Sequence, residues 1–394
     1  MQHKFDYVIV GAGMAGQAAA KALRAADAQG TIALIGADPH PPYARPPLSK
    51  KLWKNGKEAD IWFAIDKAGA TLSLGRSATR IDRKAHVVHD DQGDAWQYRK
   101  LLLATGGTPR TLGGNDDFIY FRTFDDYQRL RQAVHPGARV TVIGGGFIGS
   151  ELAAAMATNG CKVSMIFPDA TIAARVYPAA LAKSVTDYYR EKGVDVRSGL
   201  TVAHGERTGG HARLTLSDGS MLDADVVVAG LGITPNVALA EEAGLEIDNG
   251  IVVNAHLQTS DADVYAAGDV ASFPAVGLDR QLRVEHENAA LTMGDRAGQC
   301  MAGKDAPYDE LPFFYSDLFD LGYEAVGVLD SRLQTVEQWA TPYRKGVVYY
   351  LDAGRVRGVL LWNTWDQVSA ARKLIAESGP FNADTVRGRL PAAK

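Results

Sequence analysis

The sequence predicts an α/β protein, because one glycine-rich motif occurs twice, each time between a β-branched run and an Ala-rich run. The six motif glycines are Gly11, Gly13, Gly16, Gly144, Gly146 and Gly149. From Pro307 the pattern changes to strand-like runs separated by turn residues and followed by one helical run, which is typical of an antiparallel sheet with a helix. The predicted fold is therefore two Rossmann-like dinucleotide-binding domains and a C-terminal α+β domain.

Each Gly-x-Gly-x-x-Gly motif has the features of a dinucleotide site. The first glycine permits a tight turn, the second lets the backbone approach a pyrophosphate, and the third lets the helix pack closely on the strand. The helix N-terminus then faces the phosphate charge. One short motif can arise by chance, but two copies in the same strand–turn–helix context predict two dinucleotides, one held permanently and one exchanging with it.

The composition limits the classes of function. The 394 residues are enough for two to three domains, and 46% apolar and 22% charged residues are ordinary for a globular protein. The net charge of −4 gives no indication of a nucleic-acid partner. No signal peptide is expected, and no apolar run approaches the roughly 20 residues that span a bilayer.

The two cysteines, Cys161 and Cys300, are far apart in the sequence. Their scarcity fits a reducing cytosol, so we expect a cytoplasmic protein. The spacing excludes a Cys-x-x-Cys redox pair, and it excludes a metal or iron–sulfur site built on clustered cysteines. We therefore expect no metal site.

Hydrophobic patterns predict the elements along the chain. In the first part we expect strands at 5–10 and 31–36 around a helix at 14–26, and a helix at 285–302 after the chain returns near Gly250. Between these lie a strand at 161–166, a helix at 180–192 and hairpin strands near 200–217. In the last part the expected elements are strands at 323–329, 334–339, 346–351 and 355–362 and a helix at 365–377.

Several segments resemble one family. The two glycine motifs, Thr105-Gly-Gly-Thr-Pro109 and Ala267-Gly-Asp269 follow the order and spacing of two-dinucleotide flavoprotein reductases of the glutathione-reductase-like class. Pro42-Tyr-Ala-Arg-Pro-Pro-Leu-Ser-Lys50 resembles the flavin segment of oxygenase-coupled ferredoxin and rubredoxin reductases and of apoptosis-inducing factor. Phe314-Tyr-Ser-Asp317 and Arg357-Gly-Val-Leu-Leu-Trp-Asn363 resemble the C-terminal domain of apoptosis-inducing factor.

The resemblance implies a compact, bacterial-type relative of apoptosis-inducing factor. We expect it to lack the mitochondrial leader and the long C-terminal insertion of the animal protein, so no role in cell death is carried over. The implied domains are an FAD-binding domain at 1–121 and 251–306, an NAD(H)-binding domain at 122–250 and an α+β domain at 307–394.

The resemblance implies FAD in the first site. The residues expected to bind it are Gly11, Gly13, Ala15, Gly16, Asp38, Arg45, Lys50, Thr105, Gly106 and Asp269. Asp38 stands beside the position of an acid that binds the adenosine ribose, although it is alternatively a solvated turn acid. The resemblance places Lys50 near the reactive edge of the flavin, where a cation favours the anionic reduced form. Alternatively, Arg45 and Lys50 are surface charges. Asp269 is implied to accept hydrogen bonds from the ribityl hydroxyls.

The helix that begins near Glu285 and His286 is implied to point its positive end at the flavin pyrimidine. The family has a Trp near the flavin, and this chain has Tyr315 at that position. A tyrosine can still stack, but its smaller ring could alter flavin reactivity.

NAD(H) is expected in the second site. The residues expected to bind it are Gly144, Gly146, Phe147, Ile148, Gly149, Glu151, Asp169, Arg175 and Gly232. Asp169 lies about 20 residues past the motif, where an acid recognises the 2′-hydroxyl of NADH and repels the phosphate of NADPH. Arg175 could weaken that preference. Alternatively, Asp169 is a turn residue after Pro168.

The nicotinamide contacts also come from the resemblance. Phe147 and His286 match residues that sandwich the ring, and Glu151 and Glu285 match polar contacts around it. By themselves, Phe147 would more often be core packing and His286 a satisfied core histidine. With Lys50 and Tyr315, the two ring residues make up the expected catalytic set.

The predicted activity is hydride transfer from NADH to FAD. Since no cysteine pair is present, the electrons would leave the flavin directly for an unidentified acceptor: a quinone, oxygen or a small iron–sulfur protein. One alternative is a ferredoxin or rubredoxin reductase, whose basic docking face is not suggested by a charge of −4. An alternative of another class is an NADH-responsive interaction protein, in which a long-lived reduced complex changes the formation of a homodimer.

Overall fold

A computed structural model describes residues 1–113 and 117–391. The described chain forms two compact units. The first comprises residues 1–44, 58–108 and 234–312, and the second comprises the described residues of 45–57, 109–233 and 313–394. Each unit contains one of the two glycine motifs.

Eight α-helices lie within the described residues. They are α1 (Met14–Ala26), α2 (Phe124–Ala133), α3 (Phe147–Thr158), α4 (Ala179–Glu191), α5 (Ala238–Glu242), α6 (Glu287–Met301), α7 (Val368–Ala376) and α8 (Ala383–Val386). Short 3₁₀ helices are Pro46–Leu48, Lys51–Trp53, Glu58–Asp60, Asp66–Ala68, Gly268–Val270 and Val276–Leu278. The helices predicted at 14–26, 180–192, 285–302 and 365–377 are confirmed within three residues at each end. Among the helices of the described residues, none is long and apolar enough to cross a membrane.

A parallel five-stranded sheet forms the centre of the first unit. Its strand order is Val264–Ala266, Lys100–Leu103, Tyr7–Val10, Ile32–Gly36 and Thr71–Leu74. The strands next to the glycine motif are buried throughout, as in a sheet covered on both faces. Two smaller sheets have the strand orders Gln2–Lys4, Ala95–Gln97, Val87–Asp90, Ala78–Asp82 and Ile251–Val252, Ala271–Ala275, Arg280–Leu282.

Close packing of α1 on α6 completes the core of the first unit. A Cβ atom on Gly294 would overlap the carbonyl oxygen of Ala15, and one on Gly298 would overlap that of Ala19. Glycine at these two positions therefore lets the backbones of α6 and α1 approach each other directly.

The second unit also contains a parallel five-stranded sheet. Its order is Ile119–Tyr120, Val226–Ala229, Arg139–Ile143, Lys162–Phe167 and Asp195–Ser198. Beside it lies an antiparallel sheet of Val202–Thr208, His211–Leu216 and Met221–Ala224. Two further strands, Gly107–Pro109 and Ile233–Pro235, contain points where the chain passes from one unit to the other.

The last part of the second unit is an antiparallel sheet, hereafter the C-terminal sheet. Its order is Phe313–Leu318, Leu321–Gly327, Arg355–Trp362, Lys345–Asp352 and Gln334–Thr341. The prediction of a strand at 355–362 is confirmed, and the three other predicted strands are present with shifted ends. The first strand, Phe313–Leu318, was not predicted. Its side chains mix aromatic and polar types without an alternating pattern, and a tight hairpin turn at Phe319 (φ 62°) joins it to the next strand.

Candidate functional site

The two glycine turns have nearly the same backbone conformation. Gly11 and Gly144 each have φ 119°, in the region that favours glycine. A Cβ on Gly11 would overlap the carbonyl oxygen of Ala104, and one on Gly144 would overlap that of Gly230. Both turns therefore require glycine for the conformation and for the close approach of a neighbouring strand end.

The second and third glycines of each motif also match. Gly13 and Gly146 are the N-caps of α1 and α3, with φ/ψ of −89°/−163° and −87°/−164°. A Cβ on either would find open space, with no heavy atom of the described residues within 4 Å, whereas one on Gly16 or Gly149 would overlap the turn. Neither helix has an acidic residue in its first turn, so its N–H groups and positive end are suited to a phosphate.

A buried polar atom near the first motif also fits a bound dinucleotide. Gln17 on α1 is 3% exposed, and its Oε1 accepts no hydrogen bond from the described residues. Leaving a buried acceptor unsatisfied costs about 1–3 kcal/mol, which a hydroxyl or N–H donor of a bound cofactor would offset. Sequence reasoning missed Gln17, because a single glutamine in an Ala-rich helix gives no signal of burial.

Asp38 follows the strand Ile32–Gly36 and is held in a turn. Its Oδ1 accepts a hydrogen bond from the backbone N–H of His40 (3.0 Å), and its Oδ2 accepts one from the hydroxyl of Tyr43 (2.8 Å). These contacts match the alternative of a turn acid. The ribose role stays a prediction.

Reciprocal hydrogen bonds fix the loop after the strand Lys100–Leu103. The Thr105 hydroxyl donates to the Asn236 carbonyl (2.8 Å), and the Asn236 side-chain amide donates to the Thr105 carbonyl (2.9 Å). The Asn236 N–H donates to the carbonyl of Gly106, which has φ 64°. The loop lies at the carboxyl end of parallel strands, where α/β sheets bind ligands. Asn236 was not among the predicted site residues.

Arg283 connects two predicted residues of the first unit and was itself missed. Its Nη1 donates to the Asp269 carbonyl (3.0 Å) and lies 2.9 Å from Oε1 of Glu285. Asp269 is half-buried in the 3₁₀ helix Gly268–Val270. The guanidinium therefore holds the Asp269 turn and the start of α6 in a fixed relation.

His286 is the N-cap residue of α6, as the predicted helix start requires. The side chain is partly exposed, but the surrounding protein desolvates the imidazole. This desolvation lowers the pKa of His286 to about 4, against the opposing charge of Asp269. The ring is therefore neutral at pH 7.

The second unit contains a buried charge cluster that sequence reasoning did not predict. Glu151 on α3 is 3% exposed. Its Oε2 accepts hydrogen bonds from the Ser49 hydroxyl (2.6 Å) and the Lys50 ammonium (2.8 Å), and its Oε1 accepts one from the Ser316 hydroxyl (2.6 Å). Lys50 is therefore not a lone cation, because its charge is paired with a carboxylate. We call Ser49, Lys50, Glu151 and Ser316 the Glu151 cluster.

Aromatic rings adjoin the Glu151 cluster. The ring centroids of Phe147 and Phe314 lie 5.1 Å apart, and the Lys50 Nζ lies 5.3 Å from the ring centroid of Tyr315. The structure thus brings together three of the four predicted catalytic residues, Lys50, Phe147 and Tyr315, within the second unit. The fourth, His286, belongs to the first unit.

The segment that carries Lys50 is rigid for local reasons. Arg45 is the N-cap of the 3₁₀ helix Pro46–Leu48, and Lys50 lies between this helix and the next, Lys51–Trp53. Consecutive prolines fix φ in the first of these helices. The indole N–H of Trp53 donates to the Leu48 carbonyl (2.7 Å), which ties the two turns together.

Asp169 and Arg175 lie on an exposed part of the second unit. The Arg175 Nε is 3.8 Å from Oδ1 of Asp169, and the two side chains are 84% and 39% exposed. An exposed pair of this kind contributes about 0–1 kcal/mol, so it leaves both side chains able to contact a ligand. Of the other predicted residues, Ile148 is in the first turn of α3, and Gly232 (φ 80°) accepts a hydrogen bond from the Arg110 N–H (3.0 Å).

The cysteines lie in different units. Cys161 is half-buried in the second unit, Cys300 is buried in the first, and neither forms a disulfide. Burial raises the pKa of both thiols. Within residues 1–113 and 117–391, no group of three His, Cys, Asp or Glu side chains is placed to hold a metal ion.

Comparison with known proteins identifies the family. The pyridine nucleotide-disulphide oxidoreductase profile matches residues 5–294, and the chain belongs to this family. The profile of the C-terminal part of mitochondrion-associated apoptosis-inducing factor matches residues 297–343 and 340–377.

Similar proteins include apoptosis-inducing factors and ferredoxin reductases. Apoptosis-inducing factor 1 of Dictyostelium discoideum is 36% identical over 94% of this chain and 78% of its own length. The ferredoxin–NAD(+) reductase component of the anthranilate 1,2-dioxygenase system of Burkholderia cepacia is 37% identical over 94% of both chains. The crystal structure of the covalent putidaredoxin reductase–putidaredoxin complex matches with a TM-score of 0.88 and 33% identity over 94% of this chain and 93% of that chain.

These matches confirm the predicted fold class and the resemblance to apoptosis-inducing factor. They also confirm that the chain is an NAD(P)H-dependent flavoprotein oxidoreductase with FAD and NAD(H) as its cofactors. The glycine turns and the buried Gln17 fit these cofactors. The two cysteines of the chain are both free thiols.

Proposed function

We propose that this protein oxidises NADH by transferring hydride to FAD and then passes the electrons from the flavin directly to an external acceptor. The observation that carries the proposal is the pair of glycine turns with matching dihedral angles, one in each unit. Each turn leads into a helix whose N-terminus has no side-chain cap and no acidic residue in its first turn, which suits it to bind a phosphate. Two such turns in one chain supply sites for two dinucleotides.

The first motif would hold FAD, together with Ala15, Asp38 and the loop of Thr105 and Gly106. We assign the FAD-binding domain to 1–121 and 251–306, the NAD(H)-binding domain to 122–250 and the α+β domain to 307–394. The second compact unit would then contain most of the NAD(H)-binding domain, the whole C-terminal sheet and the segment with Arg45 and Lys50. Arg283 contacts both Asp269 and Glu285. Asp269 would accept hydrogen bonds from the ribityl hydroxyls of FAD, and Glu285 would be a polar contact near the nicotinamide.

The second motif would bind NADH, with Ile148, Gly232 and Asp169 as further contacts. Bound NADH and FAD would supply the hydride chemistry, so the residues of the protein would have to supply position and electrostatics. Phe147 would offer an aromatic face for the nicotinamide, as the family resemblance implies. The His286 imidazole carries no charge at pH 7 because its pKa is about 4. Lys50, paired with Glu151, supplies a positioned N–H donor, and Tyr315 covers the ammonium group.

A small iron–sulfur protein is the acceptor that we favour. The supporting observation is that the Burkholderia cepacia relative is the ferredoxin–NAD(+) reductase component of a dioxygenase system and matches over nearly its whole length. A quinone or oxygen remains an alternative acceptor. A cytoplasmic location stays the expectation from the cysteine content.

The similarity to apoptosis-inducing factor favours a second candidate function. In that case the protein would be an NADH-responsive interaction protein, and a reduced complex would change the formation of a homodimer. A ligand shifts such an equilibrium only by its differential affinity for the two states. Anaerobic sedimentation with and without NADH tests this second function. A redox-switched protein would change between monomer and dimer on reduction, whereas a constitutive reductase would keep one oligomeric state.

The main test is anaerobic stopped-flow mixing of the FAD-loaded protein with NADH, followed by oxygen, a benzoquinone or a reconstituted [2Fe–2S] ferredoxin. We expect rapid bleaching of the flavin absorbance by NADH and fastest recovery with the ferredoxin. Failure of NADH to reduce the flavin would reject the proposed function, whereas faster recovery with the quinone would reassign only the acceptor.

A further inference from the structure

The Glu151 cluster joins three parts of the sequence that are far apart. Ser49 and Lys50 come from the Pro-rich segment, Glu151 from α3, and Ser316 from the first strand of the C-terminal sheet. Ser316 is 165 residues from Glu151, and its hydroxyl is the only donor among the described residues that the structure assigns to Oε1. The other carboxylate oxygen has two donors.

The strand Phe313–Leu318 meets α3 at two successive points. Phe314 packs on Phe147, and two residues later Ser316 binds Glu151, which is four residues after Phe147. Four residues of an α-helix advance about 6 Å, and two residues of a strand advance about 6.6–6.8 Å. The two spacings match, so one strand face engages one helix face through an aromatic contact and a hydrogen bond.

The same strand also contacts the other partner of the ion pair. Tyr315, between Phe314 and Ser316, places its ring 5.3 Å from the Lys50 ammonium. Neighbouring residues of one strand therefore hold both charges: the hydroxyl of Ser316 holds the carboxylate, and the ring of Tyr315 covers the cation.

Burial makes the orientation of Glu151 dependent on its donors. Glu151 and Ser49 are both 3% exposed and Ser316 is 1% exposed, so water is not at hand to replace a lost hydroxyl. A buried carboxylate requires pairing and hydrogen bonds at both oxygens. Without Ser316, the described residues would leave Glu151 with donors at Oε2 alone, and the carboxylate could rotate about its last bond and carry the Lys50 Nζ with it.

We propose that Ser316 is a positioning residue for the reaction: it fixes Glu151 and, through Glu151, the place of the Lys50 ammonium. The inference rests on the proposed function for its kinetic consequence, but the placement of Lys50 is a property of the protein that can be measured without turnover. The C-terminal sheet thereby contributes a hydroxyl that acts through Glu151 and Lys50 on hydride transfer.

The first test measures the accessibility of Lys50 by reductive methylation of the FAD-loaded protein, read by peptide mass spectrometry. Lys50 is 11% exposed, and Lys54, which is 48% exposed, is an internal reference in the same segment. In Ser316→Ala we expect Lys50 to be labelled about three- to tenfold faster relative to Lys54, because a charge-assisted hydrogen bond is lost. Ser316→Thr, which keeps the hydroxyl, should restore slow labelling.

Thr364→Val is the matched control. Thr364 is fully buried two residues after the strand Arg355–Trp362, and within the described part of the chain its hydroxyl donates to the carbonyls of Gly346 and Trp362. This variant removes a buried hydroxyl that contacts the same sheet and does not bond to Glu151, so it should leave the labelling of Lys50 unchanged. Equal labelling in wild type and Ser316→Ala, or equal acceleration in Thr364→Val, would overturn the proposal.

The second test asks whether Ser316 acts through Lys50. We expect Ser316→Ala to slow flavin reduction by saturating NADH about tenfold, and to have no further effect in a Lys50→Met background. The same tenfold effect in both backgrounds would overturn the route through Lys50. If NADH does not reduce the wild type, the proposed function fails, and the labelling result still decides whether Ser316 places Lys50.

Discussion

The two glycine motifs share a backbone and differ in what surrounds them. The helix after the first, α1, packs its backbone directly on α6 through Gly294 and Gly298 and presents mainly alanine. The helix after the second, α3, carries Phe147 and Glu151, which contact the first strand of the C-terminal sheet. The same glycine turn is thus followed by a close-packed, Ala-rich helix in one unit and by a helix whose side chains contact the C-terminal sheet in the other.

This difference suggests that the first unit holds its cofactor permanently and that the second unit exchanges its cofactor. A permanently held cofactor needs tight packing and satisfied polar atoms, and the unpaired Oε1 of Gln17 is the kind of group that such a cofactor would satisfy. An exchanging cofactor needs groups that remain in position when it leaves, and both carboxylate oxygens of Glu151 accept hydrogen bonds from protein groups. Four predictions test the comparison, in decreasing order of expected effect.

The largest contrast should come from the third glycines. Gly16→Ala places a methyl group against the Gly11 carbonyl, and Gly149→Ala does the same at Gly144. Overpacking of this kind costs about 1–3 kcal/mol. We expect Gly16→Ala to lose FAD on gel filtration and to unfold at a lower temperature, and Gly149→Ala to keep FAD but bind NADH at least tenfold more weakly. Equal loss of FAD in both variants would contradict the assignment of the permanent cofactor to the first unit and the exchanging cofactor to the second.

Removing the cation of the Glu151 cluster should affect rate more than cofactor content. In Lys50→Met the buried Glu151 loses its charged partner, and we expect flavin reduction by NADH to slow about 10- to 100-fold, as for the loss of a positioned donor at a reacting centre. Stopped-flow absorbance measures the rate. Lys54→Met, from the exposed pair with Asp317, is the control and should reduce at the wild-type rate. An unchanged rate in Lys50→Met would remove Lys50 from the site.

His286 should make the protein less stable in mild acid. Its pKa is about 4 in the folded state against 6.5 for an unperturbed histidine, so the unfolded state binds more protons between these values. The free energy of unfolding should therefore fall as the pH falls from 6.5 to 4, by up to about 1.4 kcal/mol per pH unit from this residue. Urea unfolding at several pH values measures the slope.

His286→Phe should flatten that slope, and substitution of the exposed His204 controls for the simple loss of a histidine. If the free energy of unfolding changes with pH by the same slope in wild type and in His286→Phe, the His286 imidazole is not desolvated in the folded state.

The smallest effect should be on nucleotide preference. Asp169→Ala removes a carboxylate that would repel the 2′-phosphate of NADPH, and because the residue is 39% exposed we expect the preference for NADH to narrow by only about three- to tenfold. The ratio of reduction rates with the two nucleotides measures it. Asp38→Ala, the acid after the corresponding strand of the first unit, should weaken FAD retention and leave the ratio unchanged. A ratio that changes with Asp38 would show that the two sites are assigned the wrong way round.

Local features were readable from the sequence. The glycine turns depend on positive φ and on the close approach of adjacent backbone, so the spacing of Gly11 and Gly144 with their neighbours was enough to predict them. Helices such as α1 and α6 and the strand Arg355–Trp362 followed from hydrophobic period alone. The strand Phe313–Leu318 was missed because its pattern carries no period, and it exists through its pairing with the next strand.

The sequence by itself determined two dinucleotide turns, their helices and the family to which they belong, because each is encoded by residues close together in the chain. The tertiary structure alone decided the partners of the buried polar groups. Ser49 and Ser316 reach Glu151 across 102 and 165 residues, and Arg283 joins Asp269 to Glu285 by its geometry. A buried charge accepts whichever donors the fold brings within hydrogen-bonding distance, and no local pattern specifies them.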